Sequence, residues 1–251
     1  FTSFAGPEQI QQTTMTGQPQ SNYTSSMDHF FRGAFSIDLA LFRFRAGNLE
    51  LLLQEKEEVI DGLQLGLPGA LILPDEDTKA AVADLSEQLI GRTDFYHEQL
   101  SAFSELHRHP LGRVITIAYY GLISNEKLLE KLGDDLRWYP MNQIPKLSYD
   151  HNQILESAIS RFKEDLLNQP IVAELLPKEF ILADIISIYE QAFQRTLNQS
   201  NFRKSLKRSK LLVPSGRKMS AGENIGRPAE LYSFANLDST EKDPDVISFN
   251  F

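Results

Sequence analysis

Residues 34–56, AFSIDLALFRFRAGNLELLLQEK, set two runs of aromatic, β-branched and leucine residues on either side of Ala46-Gly47-Asn48. A turn signal between two such runs predicts a β-hairpin, and a hairpin this apolar needs cover. The cover is further along the chain. RVITIAYYGLI, Arg113 to Ile123, reads as a strand in the interior of a sheet. Adjacent Tyr119 and Tyr120 on that strand place one ring in the core and one on the opposite face. LRWYPMNQIP is a short strand running into a turn, with Trp138 and Tyr139 as packing residues. Thr78 to Leu89 has helical spacing through Ala81, Val82, Leu85 and Leu89, and HNQILESAISRFKEDLL repeats it through Ile154, Ala158, Phe162 and Leu166. Strands and helices that interleave in this way predict an α/β domain.

The two prolines of NQPIVAELLPKEF end the pattern. This gives an expected division into a Gln/Thr/Ser-rich disordered tail (1–27), an α/β domain (28–167), a small second module (168–235) and a C-terminal tail (236–251). Apolar residues make up 41% of the 251, enough for a sizeable core. Cysteine is absent, which excludes disulfides and thiolate metal sites. No apolar run approaches the roughly 18 residues of a membrane span, so a cytoplasmic protein with no membrane partner is expected.

The second module is distinguished by its charge. Arg195 to Arg227 holds nine Lys/Arg and one acid, Glu223, a net +8; the rest of a chain totalling −9 therefore carries −17. A basic island on an acidic chain points to a polyanion. ILADIISIYEQAFQ is an amphipathic helix with Leu182, Ile185, Ile186, Tyr189 and Phe193 on one face. SNFRKSLKRSKLL follows a turn, with Ser200 as candidate N-cap and an apolar face through Phe202, Ser205, Leu206, Ser209 and Leu212 or Val213. Ser200, Asn201, Arg203, Lys204, Lys207, Arg208 and Lys210 are then the DNA-facing candidates on a recognition helix. Gly216, Gly222 and Gly226 supply turns for a wing carrying Arg217, Lys218 and Arg227, closed by the strand AELYSF through Leu231 and Phe234 or through Tyr232. The layout is that of a winged helix-turn-helix on double-stranded operator DNA.

GALILPDEDTKAAVADLSEQLIG, Gly69 to Gly91, has a glycine-led acidic loop, a helix and a closing glycine. In outline it resembles the signature of the Nudix hydrolases, whose helix glutamates hold Mg²⁺ or Mn²⁺ on a diphosphate substrate. Counted from Ala70, Glu76 falls on the loop glutamate, Asp84 on the arginine, Leu85 on the first helix glutamate and Gln88 and Leu89 on the glutamate pair. Counted from Gly69, Asp75, Asp84 and Glu87 match as acids, while Ala83 replaces the arginine and Gln88 a ligand. In either count the metal ligands are depleted, and hydrolysis is expected to be absent or slight. No cofactor is expected; Mg²⁺ enters only if Asp75, Glu76, Asp84 and Glu87 form an unusual acid set.

HRHPLGRVITIAYYGLI, RWYPMNQIPKLSYDHNQIL, LLPKEF and NFRK occur in that order. Together they resemble the Nudix-related bacterial transcriptional regulators, a group including repressors of NAD metabolism and regulators of arabinose use. The family forms are DRDPRGR, FDH and RNFR; here His107 and His109 replace two acids and Tyr149 replaces the phenylalanine. The resemblance, over roughly residues 30–235, implies a Nudix-like α/β/α sandwich with a mixed sheet followed by a winged helix. It also implies a homodimer on a palindromic operator and a sugar or nucleotide-sugar effector such as ADP-ribose.

His107, Arg108, His109 and Arg113 gather at a strand entrance as candidates for an anionic or sugar ligand, though Arg113 could equally pair with Glu105. Asp150-His151 suggests acid–base work or, for Asp150, a helix N-cap. The expectation is a ligand-responsive transcriptional regulator with a catalytically degenerate sensor. The alternative is a Mg²⁺-dependent pyrophosphohydrolase acting on ADP-ribose-like substrates, with a dimerising C-terminal module.

Overall fold

A computed structural model describes residues 33–60, 62–110, 112–128, 132–219 and 228–235. The hairpin forms from β1 (Ala34–Arg45) and β2 (Asn48–Ile60), antiparallel with Arg45 opposite Asn48. Ala46 (φ 49°) and Gly47 (φ 81°) alone make the loop, the positive-φ pair of a tight primed turn. β3 (Leu63–Gly66) and β7 (Leu136–Pro140) both pair with β2, and β4 (Gly69–Leu71) pairs with β1. β6 (Val114–Ser124) runs parallel to β1 along its length, and β5 (Tyr96–Phe103) closes the other side. The result is a seven-stranded mixed sheet with the path β3-β2-β1-β6-β5.

β1 has no polar face because both of its faces are covered. Ile37, Leu39 and Leu41 pack toward α1 (Thr78–Ile90), while Ala40, Phe42 and Phe44 pack toward α2 (His151–Asn168). Tyr119 and Tyr120 divide in the same way between the two faces, and both are buried. The Tyr120 hydroxyl donates to the buried Asp165 carboxylate of α2, which also accepts from Arg161 Nε at 2.9 Å. Asp77 caps α1, accepting from the amides of Lys79 and Ala80 at 2.9 Å each, and Gly91 ends it in the left-handed conformation. Gly69 must be glycine because a Cβ there would lie 2.7 Å from the Ile37 carbonyl.

Past a short 3-10 turn at Ile171–Leu175 come β8 (Phe180–Ile181), α3 (Leu182–Phe193), α4 (Gln199–Arg208), β9 (Leu212–Met219) and β10 (Ala229–Phe234). The small sheet has the order β8-β10-β9. This is a winged helix on an α/β/α sandwich. The change of architecture near residue 168 brings no break in packing: Phe162 and Leu166 of α2, Ile185, Ile188 and Tyr189 of α3, and Phe202, Leu206 and Tyr232 belong to one apolar core. Burial from two sides also explains why Ile188 and Ala192 join the expected face of α3.

Three local expectations are corrected. α4 is capped by Asn198, whose side chain accepts from the Asn201 amide at 3.1 Å, so Ser200 lies inside the first turn. α4 also ends earlier than its apolar spacing predicts: Lys210 takes φ 58°, and Leu212 and Val213 belong to β9. Gly216 (φ 74°) sits in a bulge within β9, not at a turn between strands. Gly222 and Gly226 lie outside the described residues.

Phe162 is fully buried and stacks on Phe42 with ring centroids 5.5 Å apart. Phe162→Ala is expected to cost about 3–5 kcal/mol, read as a lower urea midpoint; because the core is shared, probes in the sandwich and in the winged helix should report the same shift.

Candidate effector cleft and nucleic-acid interface

A cleft of about 290 Å³ opens at the end of the large sheet, lined among others by Asp38, Lys56, Arg108, His109, Tyr149 and His151. Its floor is a buried ion network. Arg108 donates through Nε and one terminal nitrogen to both oxygens of Asp150, each at 2.8 Å, and reaches Asp38 at 3.2 Å. Only 3 % of its side chain is exposed, so its charge is answered within the protein. Burial pulls the guanidinium pKa down, but the Asp150 bonds and the Asp38 and Asp150 charges outweigh that and raise it. His151 Nδ1 accepts from the Leu67 amide at 2.8 Å, so the proton of the neutral ring is on Nε2, 3.6 Å from Asp38. Burial lowers the His151 pKa from 6.5, with Asp38 opposing and Lys56 assisting. Lys56 is likewise lowered, by burial first, against the pull of Asp38 and Asp135.

Above this floor the His109 and Tyr149 rings stack nearly parallel, 5.1 Å apart and 8° from coplanar. Tyr149 is held at φ 56°, a conformation uncommon for an aromatic residue and typical of a side chain placed for a purpose. The cleft therefore offers a flat aromatic wall, an ammonium group and the buried Asp38 carboxylate beside one another.

The structure separates the four loop candidates. Arg108 belongs to the ion network and His109 to the aromatic wall, whereas His107 is exposed and outside the cleft lining. Arg113 donates to the Ser104 and Glu105 backbone carbonyls at 2.6 and 2.9 Å. Asp150 stands at the N-cap position of α2, but its carboxylate is used by Arg108 and caps nothing. Sequence reasoning did not place Asp38, Lys56, Tyr149 or His151 here. An aspartate inside the apolar run AFSIDLALF was the available signal; Lys56, within the charged run QEKEE, gave none.

The acids of the 69–91 segment do not form a metal cradle. Leu85 and Leu89 are core residues, Asp84 and Glu87 lie on the exposed side of α1, and Asp75 is exposed in the loop. Glu76 accepts from the Leu73 amide at 3.2 Å. Among the described residues no three acidic or histidine side chains come together as a metal site, and no catalytic step through Mg²⁺ follows from this donor set.

On α4, Phe202 and Leu206 face the core, while Ser200, Asn201, Arg203, Lys204, Lys207 and Arg208 are exposed on the opposite side. Lys210 follows, also exposed. Arg217 and Lys218 project from β9, Arg217 donating to Glu179 at 3.0 Å; Arg227 lies outside the described residues. α3 holds α4 to the α/β/α sandwich. Tyr189 meets Phe202 edge-on at 5.1 Å, and the Gly47 carbonyl at the hairpin tip accepts from Ser187 Oγ at 3.0 Å and Gln191 Nε2 at 2.8 Å. Gln191 Oε1 in turn accepts from the Leu49 amide at 2.9 Å.

These features define a DNA-binding transcription regulator, a winged helix joined to a Nudix-like domain. Residues 172–234 match the NrtR DNA-binding winged helix domain family. The chain is 25% identical over 221 residues to the ADPR responsive transcriptional repressor NtrR of Acinetobacter baylyi, covering 85% of this chain and 87% of that one. It also resembles the crystal structure of Shewanella oneidensis NrtR complexed with a 27mer DNA, with a TM-score of 0.68 and 26% identity over 80% of this chain and 93% of that one. An ADP-ribose pyrophosphatase of Methanocaldococcus jannaschii is 29% identical over 112 residues, 43% of this chain and 64% of its own. Along most of its length the chain is similar to the NrtR-type Nudix-related transcriptional regulators. Among the described residues no helix is long and apolar enough to cross a membrane.

Because the fold favours neutral His151, the unfolded chain binds the extra proton first as pH falls below about 6.5. Stability is expected to be full above that pH and to decline as the solution is acidified toward the lower folded-state value. His151→Gln keeps an acceptor for Leu67 and should flatten the decline, measured as melting temperature against pH.

Proposed function

We propose that this protein is a homodimeric repressor whose winged helix binds operator DNA and whose Nudix-like cleft binds ADP-ribose, with effector binding releasing the DNA. The observation that carries this is the hairpin β1–β2. It bears Asp38 and Lys56 in the cleft at one end, and its Gly47 tip is bonded to α3 at the other. An effector that shifts the hairpin shifts the helix on which α4 rests, and the reverse holds by linkage. The cleft chemistry supports a nucleotide-sugar over a bare sugar: the His109–Tyr149 wall suits a nucleobase, Lys56 a phosphate, and the Asp38 carboxylate ribose hydroxyls. The repressor from Acinetobacter baylyi, matched along most of both chains, is named as responsive to this metabolite.

On the DNA side, Arg203, Lys204, Lys207 and Arg208, followed by Lys210, neutralise phosphates along the major groove, with Ser200 and Asn201 nearest the base edges. Arg217, Lys218 and Arg227 serve the wing. Of the loop candidates, Arg108 acts from beneath by fixing Asp38 and Asp150, and His109 contacts the ligand.

ADP-ribose is expected to raise the melting temperature and to weaken binding to an operator duplex. The logarithm of affinity should fall linearly with that of salt, by about 0.9 per phosphate neutralised. Arg203→Ala with Lys207→Ala should weaken binding by at least about tenfold while leaving the ADP-ribose melting shift intact. Gln191→Ala should retain both ligands yet lose much of the effector's ability to release DNA. A melting temperature indifferent to ADP-ribose would overturn the effector assignment.

A further inference from the structure

The DNA-facing surface contains a groove of about 380 Å³ between α4, the start of α3 and β10. Arg203, Lys204 and Lys207 form one wall, and Ala229, Glu230 and Tyr232 the other. Glu230 is the single acid among the lining residues, and it is exposed. It stands directly across the β9–β10 ladder from Lys218. Its carboxylate accepts the hydroxyl of Tyr232, whose buried ring has Lys207 Nζ 5.9 Å from its centroid. The carboxylate thus holds a phenol whose ring lies near Lys207, and it has Lys218 as its ladder partner, groups a phosphate would use. An acid with no role in the core, held by a hydroxyl in the midst of a cationic groove, occupies the position of an anion.

We infer that Glu230 is an affinity-setting residue of the DNA interface, an internal stand-in for a phosphate that DNA must displace. In the free protein it sets a negative charge across the ladder from Lys218 and on the Lys207 side of the groove, and keeps the Tyr232 hydroxyl occupied. When the backbone of a duplex enters the groove, the carboxylate is repelled into solvent, and the lysines and the hydroxyl turn to a phosphate oxygen. The cost of that repulsion reduces binding to any duplex, because it involves the backbone and not the bases. Arg217 shows the same arrangement at the wing, where Glu179 holds its guanidinium. An affinity held down in this way lets a modest effector coupling release the DNA.

This inference rests on the DNA-binding reading, and the test separates the two. Glu230→Gln retains an oxygen for Tyr232 and removes the charge. It should bind a duplex about fourfold more tightly at low salt, the effect of one elementary charge roughly 5 Å from a phosphate in water. The gain should be equal on operator and unrelated duplexes and should shrink as salt rises. Glu230→Asp keeps the charge and should stay near the wild type. Unchanged or weaker binding by folded Glu230→Gln, a gain that persists in high salt, or equal tightening by Glu230→Asp would overturn the assignment while leaving a DNA-binding wild type intact. A wild-type chain that binds no duplex would overturn both readings.

Discussion

A guanidinium withdrawn from water has to be answered by carboxylates, and this constraint organises the α/β/α sandwich. Arg108, from the loop before β6, takes Asp150 at the head of α2 in a two-pronged bond and Asp38 in the middle of β1 as its second partner. Three segments distant in sequence are thereby fixed at one point. Removing both acids would strand a buried charge, a loss of several kcal/mol by general experience. Around that point the chain arranges His151, Lys56 and the His109–Tyr149 wall, so the same network that holds the sheet to α2 also shapes the cleft.

The cleft and the DNA surface are linked by ordinary secondary structure. β1 and β2 run from the ion network to a two-residue turn, and the turn offers one carbonyl to two side chains of α3. α3 packs edge-on against the ring at the start of α4 through Tyr189 and Phe202. Each joint is a directional hydrogen bond or an aromatic contact in a dense core, and such contacts favour discrete arrangements over gradual bending.

What the sequence made legible follows from periodicity. The hairpin, the central strand, both sandwich helices and the two helices of the winged module each carry enough apolar residues at regular spacing to declare themselves. The end of α4 was misread because Leu212 and Val213 extend its apolar register, and nothing in a side-chain pattern announces the left-handed Lys210. Ser200 is the cap expected from the sequence; the path of the backbone gives that position to Asn198. The cleft was less legible than the basic surface. Lysines and arginines facing water advertise themselves by composition, but a buried pairing such as Arg108 with Asp38 exists only once a strand and a loop far apart in the chain have met. In the Gly69–Gly91 segment, Leu85 and Leu89, two of the helix positions that the resemblance assigns to ligands, are core residues facing the sheet.

The continuous core across residue 168 bears on how such regulators can be rewired. Ile185, Ile188 and Tyr189 lean on the sandwich as well as on their own module, and the Tyr189 hydroxyl is satisfied by the Leu166 carbonyl of α2 at 2.7 Å. A winged helix grafted onto this sandwich at the linker alone would inherit a mismatched seam, with an orphaned phenol and apolar surface left uncovered. The exchangeable unit is α4 with the wing, carried on a retained α3: that helix belongs to the sandwich as much as to the winged helix.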